Sequence, residues 1–154
     1  MDIYTEQLQQ IHAAAPFIAV WDDHEITNDT WRDGAENHQS DEGDFTARKL
    51  AALQAYFEWM PIRPASSTDQ ETIYRQFRFG SLVDLLMLDT RIIGRDEQLA
   101  YGNYVDPVSG QLDAARFSSD LSQPNRTLLG AEQLQWLLDK LQHSDASWQV
   151  LGPQ

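Results

Sequence analysis

Four side chains that can ionise, Asp22, Asp23, His24 and Glu25, stand in a row directly behind the apolar run Phe17-Ile18-Ala19-Val20-Trp21. Carboxylate oxygens are donors for hard cations, and an imidazole is a general acid or base near neutral pH. A short apolar run bounded by polar residues reads as a buried strand, here over residues 17–22. In open α/β sheets, ligands bind in the crevice outside the carboxyl ends of the strands, so this order delivers the ionisable groups where a site would lie. A solvated turn after the strand is the plainer alternative. It accounts poorly for Asp-Asp-His-Glu with no Gly, Ser or Pro among them, and the clustering favours a functional site.

The elements that must position this cluster alternate along the chain. Residues 4–14, with Leu8 and Ile11 on one face, read as a helix stopped by Pro16. Residues 26–45 are polar and rich in Asn, Asp and Gly, a long ordered loop of the kind that is usually functional or disordered. Asp44 or Thr46 can N-cap a helix that runs to about Trp59, with Leu50, Leu53 and Phe57 as its apolar face and Pro61 and Pro64 beyond its end. After a polar linker over residues 65–72, residues 73–79 and 82–88 read as two strands joined by the two-residue turn Gly80-Ser81. The second is nearly all apolar, as a strand covered on both faces would be. Residues 92–128 show no sustained period and read as a long irregular insertion. Residues 129–141 form an amphipathic helix with Leu134, Leu137, Leu138 and Leu141 on one side, and a further strand begins at Trp148. This alternation predicts an α/β layered fold.

The cluster also resembles a known family. Trp21-Asp22-Asp23-His24-Glu25, followed by Asn28-Asp29-Thr30-Trp31-Arg32-Asp33-Gly34-Ala35-Glu36-Asn37-His38, is similar to the PhoD-like alkaline phosphatases, a branch of the metallophosphoesterases. The likeness continues through Arg48-Lys49, Ala55-Tyr56-Phe57-Glu58-Trp59-Met60-Pro61-Ile62-Arg63 and Phe77-Arg78-Phe79-Gly80. It runs on through Leu85-Leu86-Met87-Leu88-Asp89-Thr90-Arg91 and Leu129-Gly130-Ala131-Glu132-Gln133-Leu134-Gln135-Trp136-Leu137. Matches in one order over most of the chain are far more specific than a single five-residue motif.

The resemblance implies a fold, an activity and roles for residues. The fold is a layered sheet sandwich flanked by helices, with metals held by loops at strand ends. The activity is metal-dependent hydrolysis of phosphomonoesters and phosphodiesters, with Fe³⁺ and Ca²⁺ as cofactors and a small phosphate ester as substrate. In the wider superfamily the Asn of a Gly-Asn-His-Asp/Glu motif binds metal and the next His acts near the leaving group. Lined up here, the ligand position falls on Asp23, an Asp in place of Asn, and the acid position on His24. Asp22 is expected to add a second metal oxygen or to orient the loop. Glu25 and Asp89 are expected behind these residues, Glu25 paired with an Arg. Arg91, leaving the strand over 82–88, is the expected second phosphate contact, with an ion pair to Asp89 or Asp96 as its alternative. Asn28 and Arg32 reach the same mouth; an Arg can fork onto phosphate oxygens or simply fix a loop by an ion pair. Of the remaining histidines, His38 is a minor candidate, and His12 and His143 read as structural or solvated.

Composition bounds these readings. The 154 residues suit one domain, and no stretch approaches the length of a membrane span. Zero Cys excludes disulfides and thiolate metal sites. The net charge of −13 repels nucleic acid and argues against it as the main partner. It also requires strong local positive charge at any phosphate site, which bound cations supply. The family's upstream Gly-Asp signature and its downstream His- or Asp-bearing loops do not occur, so residues 1–154 are expected to be part of a longer polypeptide. A non-catalytic cation-binding or interaction fragment of the same fold is the alternative.

Overall fold

The computed structural model describes residues 6–66 and 68–154, apart from the side chain of Leu8. The expected first two residues of the opening helix, Tyr4 and Thr5, and the expected contact of Leu8 lie outside the described residues. The helix itself, α1 (Glu6–Ala14), is present, but Ile11 is exposed on it.

Helix α2 (Phe45–Trp59) begins where its sequence dictates. The Asp44 side chain accepts the Ala47 N–H at 2.9 Å, satisfying one of the orphan donors of the first turn. At the other end the Met60 N–H still bonds the Tyr56 carbonyl before Pro61 stops the helix. Its buried face is Phe45, Lys49, Leu53 and Tyr56, at i, i+4, i+8 and i+11. Leu50, expected on that face, is exposed, because it sits a third of a turn from Lys49. Lys49 is tolerated inside because its ammonium pairs with Glu71 Oε1 at 2.7 Å.

The hairpin is β1 (Arg75–Phe79) and β2 (Val83–Met87), antiparallel, with Arg75 opposite Met87 and Phe79 opposite Val83. Its loop is one residue longer than expected. Gly80, at φ 58°, takes the left-handed position, and Leu82 closes the turn by donating its N–H to the Phe79 carbonyl at 3.2 Å. A third strand, β3 (Trp148–Gly152), pairs parallel to β2, giving the order β1-β2-β3. Helix α4 (Gly130–His143) lies within the long crossover that a parallel pair needs. Leu137 of α4 packs on Leu86 and Leu88. The expectation that residues 82–88 are covered on both faces holds only towards their end: Leu86, Met87 and Leu88 are buried, Leu82 is exposed. On α4 the inward residues are Gln133 and Leu137, with Leu141 partly buried, while Leu134 and Leu138 face outward.

Two expected elements need correction. Residues 17–22 enter no ladder among the described residues, and Phe17 and Ile18 are exposed. The apolar run marks an irregular segment that tucks Trp21 into the core, edge-on to Tyr56 at 5.5 Å and to Phe57 at 5.9 Å. Residues 92–128 are not irregular throughout. They hold a 3₁₀ turn, Tyr101–Tyr104, and helix α3 (Ala114–Leu121), N-capped by Asp113. At eight residues with none buried, α3 is too short to declare itself by periodicity.

The architecture is α/β, as the alternation predicts, and the described residues contribute one three-stranded sheet of it. The larger core cluster gathers Trp21, Ile26, Phe45, Leu53, Tyr56, Ile73 and Ile92. It therefore ties α2 to the segments on either side of the ionisable cluster and to the loop after β2.

Candidate functional site

The ionisable cluster folds as a tight turn. The Asp23 carbonyl accepts the N–H groups of both Ile26 and Thr27 at 2.9 Å, and Glu25 Oε2 reaches back to the Asp22 N–H at 2.8 Å. The Asp23 carboxylate is buried, and its Oδ2 accepts the Asp29 N–H at 2.6 Å. Asp29 is held at φ 50°, a conformation Asp tolerates better than most residues. The turn is thus closed at both ends by carboxylates bonding backbone N–H groups, which points the His24 ring outward into solvent.

His24 is held by its neighbours. Its Nε2 lies 3.0 Å from Asn28 Oδ1, and Asn28 Nδ2 in turn donates to Glu36 Oε2. The Asn28 bond, followed by the charge of Asp23, raises the His24 pKa above the ordinary imidazole value. For Asp23 burial works in the raising direction, but the Asp29 N–H and the Arg91 guanidinium outweigh it and hold the carboxyl below its ordinary value.

Arg91 enters the same cluster from the loop after β2. Its Nε is 3.0 Å from Asp22 Oδ1, and its Nη1 is 3.6 Å from Asp29 Oδ1 and 3.9 Å from Asp23 Oδ2. One guanidinium therefore serves three carboxylates. Asp89 places it. Fully buried, Asp89 accepts the N–H groups of Arg91 and Ile92 at 2.8 Å and of Ile93 at 3.1 Å. Burial nevertheless keeps the Asp89 pKa raised against those donors. The Asp89 backbone is clamped in turn by buried Gln133, whose Oε1 accepts the Asp89 N–H at 2.8 Å and whose Nε2 donates to the Asp89 carbonyl at 2.7 Å.

The structure thus brings Asp22, Asp23, His24, Glu25, Asn28, Asp89 and Arg91 together. Arg32 lies apart from them in an ion-pair network, with Asp33 at 2.9 Å and Asp96 at 3.2 Å. His38 is engaged by the Gly43 carbonyl and Arg48, His12 stacks on Phe17, and His143 bonds Asp139 on its own helix. Asp29, Glu36 and Gln133 belong to the cluster's support and escape a reading of the sequence. Asn28-Asp29 carries a signal in retrospect, because that pair favours a left-handed turn residue. Gln133 carries none, since its partner is a backbone 44 residues away.

Asp22 and Asp23 are the oxygen donors expected for Fe³⁺ and Ca²⁺. Both are already held by Arg91, and among the described residues no three His, Cys, Asp or Glu side chains converge as a metal site. These residues alone do not fit either ion. A metal here would need donors from beyond them.

The family model described as PhoD-like phosphatase matches residues 3–154. The chain belongs to the PhoD-like phosphatase family, a hydrolase family. It is 40% identical over 149 residues to alkaline phosphatase D of Bacillus subtilis (strain 168), covering 96% of this chain and 24% of that protein. It is also similar to the solved structure titled "Structure of PhoD", with a TM-score of 0.70 and 39% identity over 94% of this chain and 26% of that one. The chain therefore spans about a quarter of the length of the relatives it matches.

Proposed function

We propose that these residues form one wall of a metal-dependent phosphoesterase site that hydrolyses phosphomonoesters and phosphodiesters. The observation that carries the reading is an exposed His24, oriented through Asn28 by Glu36, within a turn whose sequence matches the family in order. Fe³⁺ and Ca²⁺ are the proposed cofactors; Asp23 and Asp22 would hold them only together with donors from beyond the described residues, and the ions would supply the charge that an acidic protein needs to attract a phosphate ester.

His24 is the proposed acid. Its Nε2–H is committed to Asn28, which leaves Nδ1 to hold the proton. As the P–O bond to the leaving group breaks, that proton passes to the departing oxygen, a contribution typically worth about 10²–10⁴ in rate. Arg91 acts here by fixing Asp22, Asp23 and Asp29 rather than by gripping phosphate. The small-molecule substrate is the ester itself; nucleic acid as a main partner does not suit the charge of −13, and no described helix is long and apolar enough to cross a membrane.

A second reading, a non-catalytic fragment of the fold, is favoured by the incomplete donor set. One experiment separates the two: hydrolysis of p-nitrophenyl phosphate and bis(p-nitrophenyl) phosphate with Fe³⁺ and Ca²⁺ supplied, beside His24→Ala. Turnover lost in the variant supports the enzyme. A folded protein that turns over neither ester supports the fragment.

A further inference from the structure

Outside the ionisable turn, a cavity of about 380 Å³ opens between the loop after β2 and helix α3. Its apolar lining is Leu99, Phe117, Leu121 and Leu128, of which Leu121 and Leu128 remain about half exposed. Isolated exposed leucines need no explanation; several lining one concave surface with charged groups match the make-up of a ligand pocket. Phe117 is fixed there by stacking on Tyr101 at 4.8 Å and meeting Tyr104 edge-on at 5.2 Å. The outer wall is therefore a preformed aromatic face.

Two arginines give the cavity its sign. Arg95 makes no side-chain ion pair or hydrogen bond among the described residues, and Arg126 bonds only the Glu97 carbonyl. Asp96 also lines the cavity, but its carboxylate is taken by Arg32 at 3.2 Å and by the Thr127 N–H at 2.8 Å. Neither guanidinium is in a salt bridge among the described residues, so both are available to an anion beside the apolar floor. Burial lowers the Arg95 pKa first and Arg91 adds to it, as expected for a cation kept partly dry near the turn.

The cavity is joined to the proposed site by a short chain of bonds. Gln98, on its wall, donates to the Asp29 carbonyl at 3.0 Å, and the Asp29 N–H is the donor to Asp23.

Resting on the phosphoesterase reading, we propose that this cavity is a specificity subsite for the ester's organic arm. It takes an aromatic group that carries an anionic substituent, the ring against Phe117 and the leucines and the anion between Arg95 and Arg126.

The test uses two arms on the full chain. The first measures kcat/KM for phenyl phosphate and 3-carboxyphenyl phosphate in the wild type and in Arg95→Gln and Arg126→Gln. The wild type is expected to favour the carboxylated ester at least about tenfold, the lower range for one charge-assisted hydrogen bond. Each Gln variant is expected to reduce that preference, losing several-fold more on the carboxylated ester than on phenyl phosphate. Equal loss on both esters, or a preference that survives both variants, would overturn the subsite. The second arm follows the arginine Nε–H resonances by NMR during titration with benzoate, which is no ester. Shifts confined to Arg95 and Arg126, lost in Phe117→Ala, support the cavity even if neither ester is hydrolysed, in which case the phosphoesterase reading alone fails. Benzoate that moves neither resonance means the cavity is closed to such ligands, and the proposal falls.

Discussion

Asn28 Oδ1 lies 3.0 Å from Nε2 of His24, and that bond does more to the imidazole than any charge around it. Removing it by Asn28→Ala is expected to lower the His24 pKa towards its ordinary value, read from the ring proton shifts in an NMR pH titration. The sign follows from the bond: Asn28 accepts an N–H, so it favours the protonated ring and its loss favours the neutral one. A group whose folded pKa is raised contributes stability below its unfolded value and loses it as pH rises through the folded value. His24 is exposed, so the change in melting temperature that accompanies the shifted titration is expected to be small. A titration unchanged in the variant would mean that Asn28 does not orient the ring.

Arg91 faces Asp22, Asp23 and Asp29 and is mostly buried, with its Nη1 lacking any hydrogen bond of good geometry. Its removal leaves three carboxylates in mutual repulsion around a half-dry space. Arg91→Ala is expected to cost about 2–4 kcal/mol in urea unfolding, somewhat under the range for breaking a fully buried pair. Arg91→Lys recovers part of the loss, because an ammonium keeps the charge but cannot reach all three groups as a planar fork does. The Asp23 pKa is lowered in the folded protein, so its contribution is present above the unfolded value and is lost as pH falls through the folded one. The deficit of Arg91→Ala is therefore expected to be largest near neutrality and to shrink in acid. A deficit that grows in acid would rule this account out.

Gln133 marks the limit of what the sequence could say. The cap at Asp44, the stop at Pro61 and the turn at Gly80 are short-range devices, so residue type alone discloses them. The cluster Asp22–Glu25 is legible for the same reason, as four adjacent ionisable groups. Strand identity is different, because a strand exists only through its partner, and residues 17–22 have the apolar look without the ladder. In the sequence Gln133 reads as a surface residue on a helix whose leucines define the apolar side. In the fold it turns inward and pairs with both backbone groups of Asp89, as a neighbouring strand would. Leu134 and Leu138 lie on the outward side of that same helix. Gln133→Leu is expected to leave a buried N–H and a buried carbonyl unpaired, at about 1–3 kcal/mol each. Faster amide exchange at Asp89, measured with the unfolding curve, locates the loss. Protection at Asp89 equal to that of the wild type would show that the clamp is not what holds it.

Gly94 carries the last prediction. The loop after β2 passes so close to the start of α4 that a Cβ built on Gly94 would lie 2.2 Å from the backbone carbonyl of Leu129. Gly130, at φ 74°, completes the approach from the other side, with its own Cβ position 3.1 Å from Gly94 Cα. Both groups in the clash are backbone, so neither can rotate away. Gly94→Ala must push α4 off the loop, and α4 carries Gln133, which holds Asp89 and through it Arg91. The substitution is expected to cost at least about 2 kcal/mol, in the range of overpacking a tight contact. Gly102→Ala is the matched control, since a Cβ there meets nothing within 4 Å. It is expected to be neutral or to stabilise slightly by reducing the freedom of the unfolded chain. Parallel urea unfolding of the two variants decides the matter. Equal stabilities would mean that the loop and α4 are not locked together, and the path from Gly94 to Arg91 would have no mechanical basis.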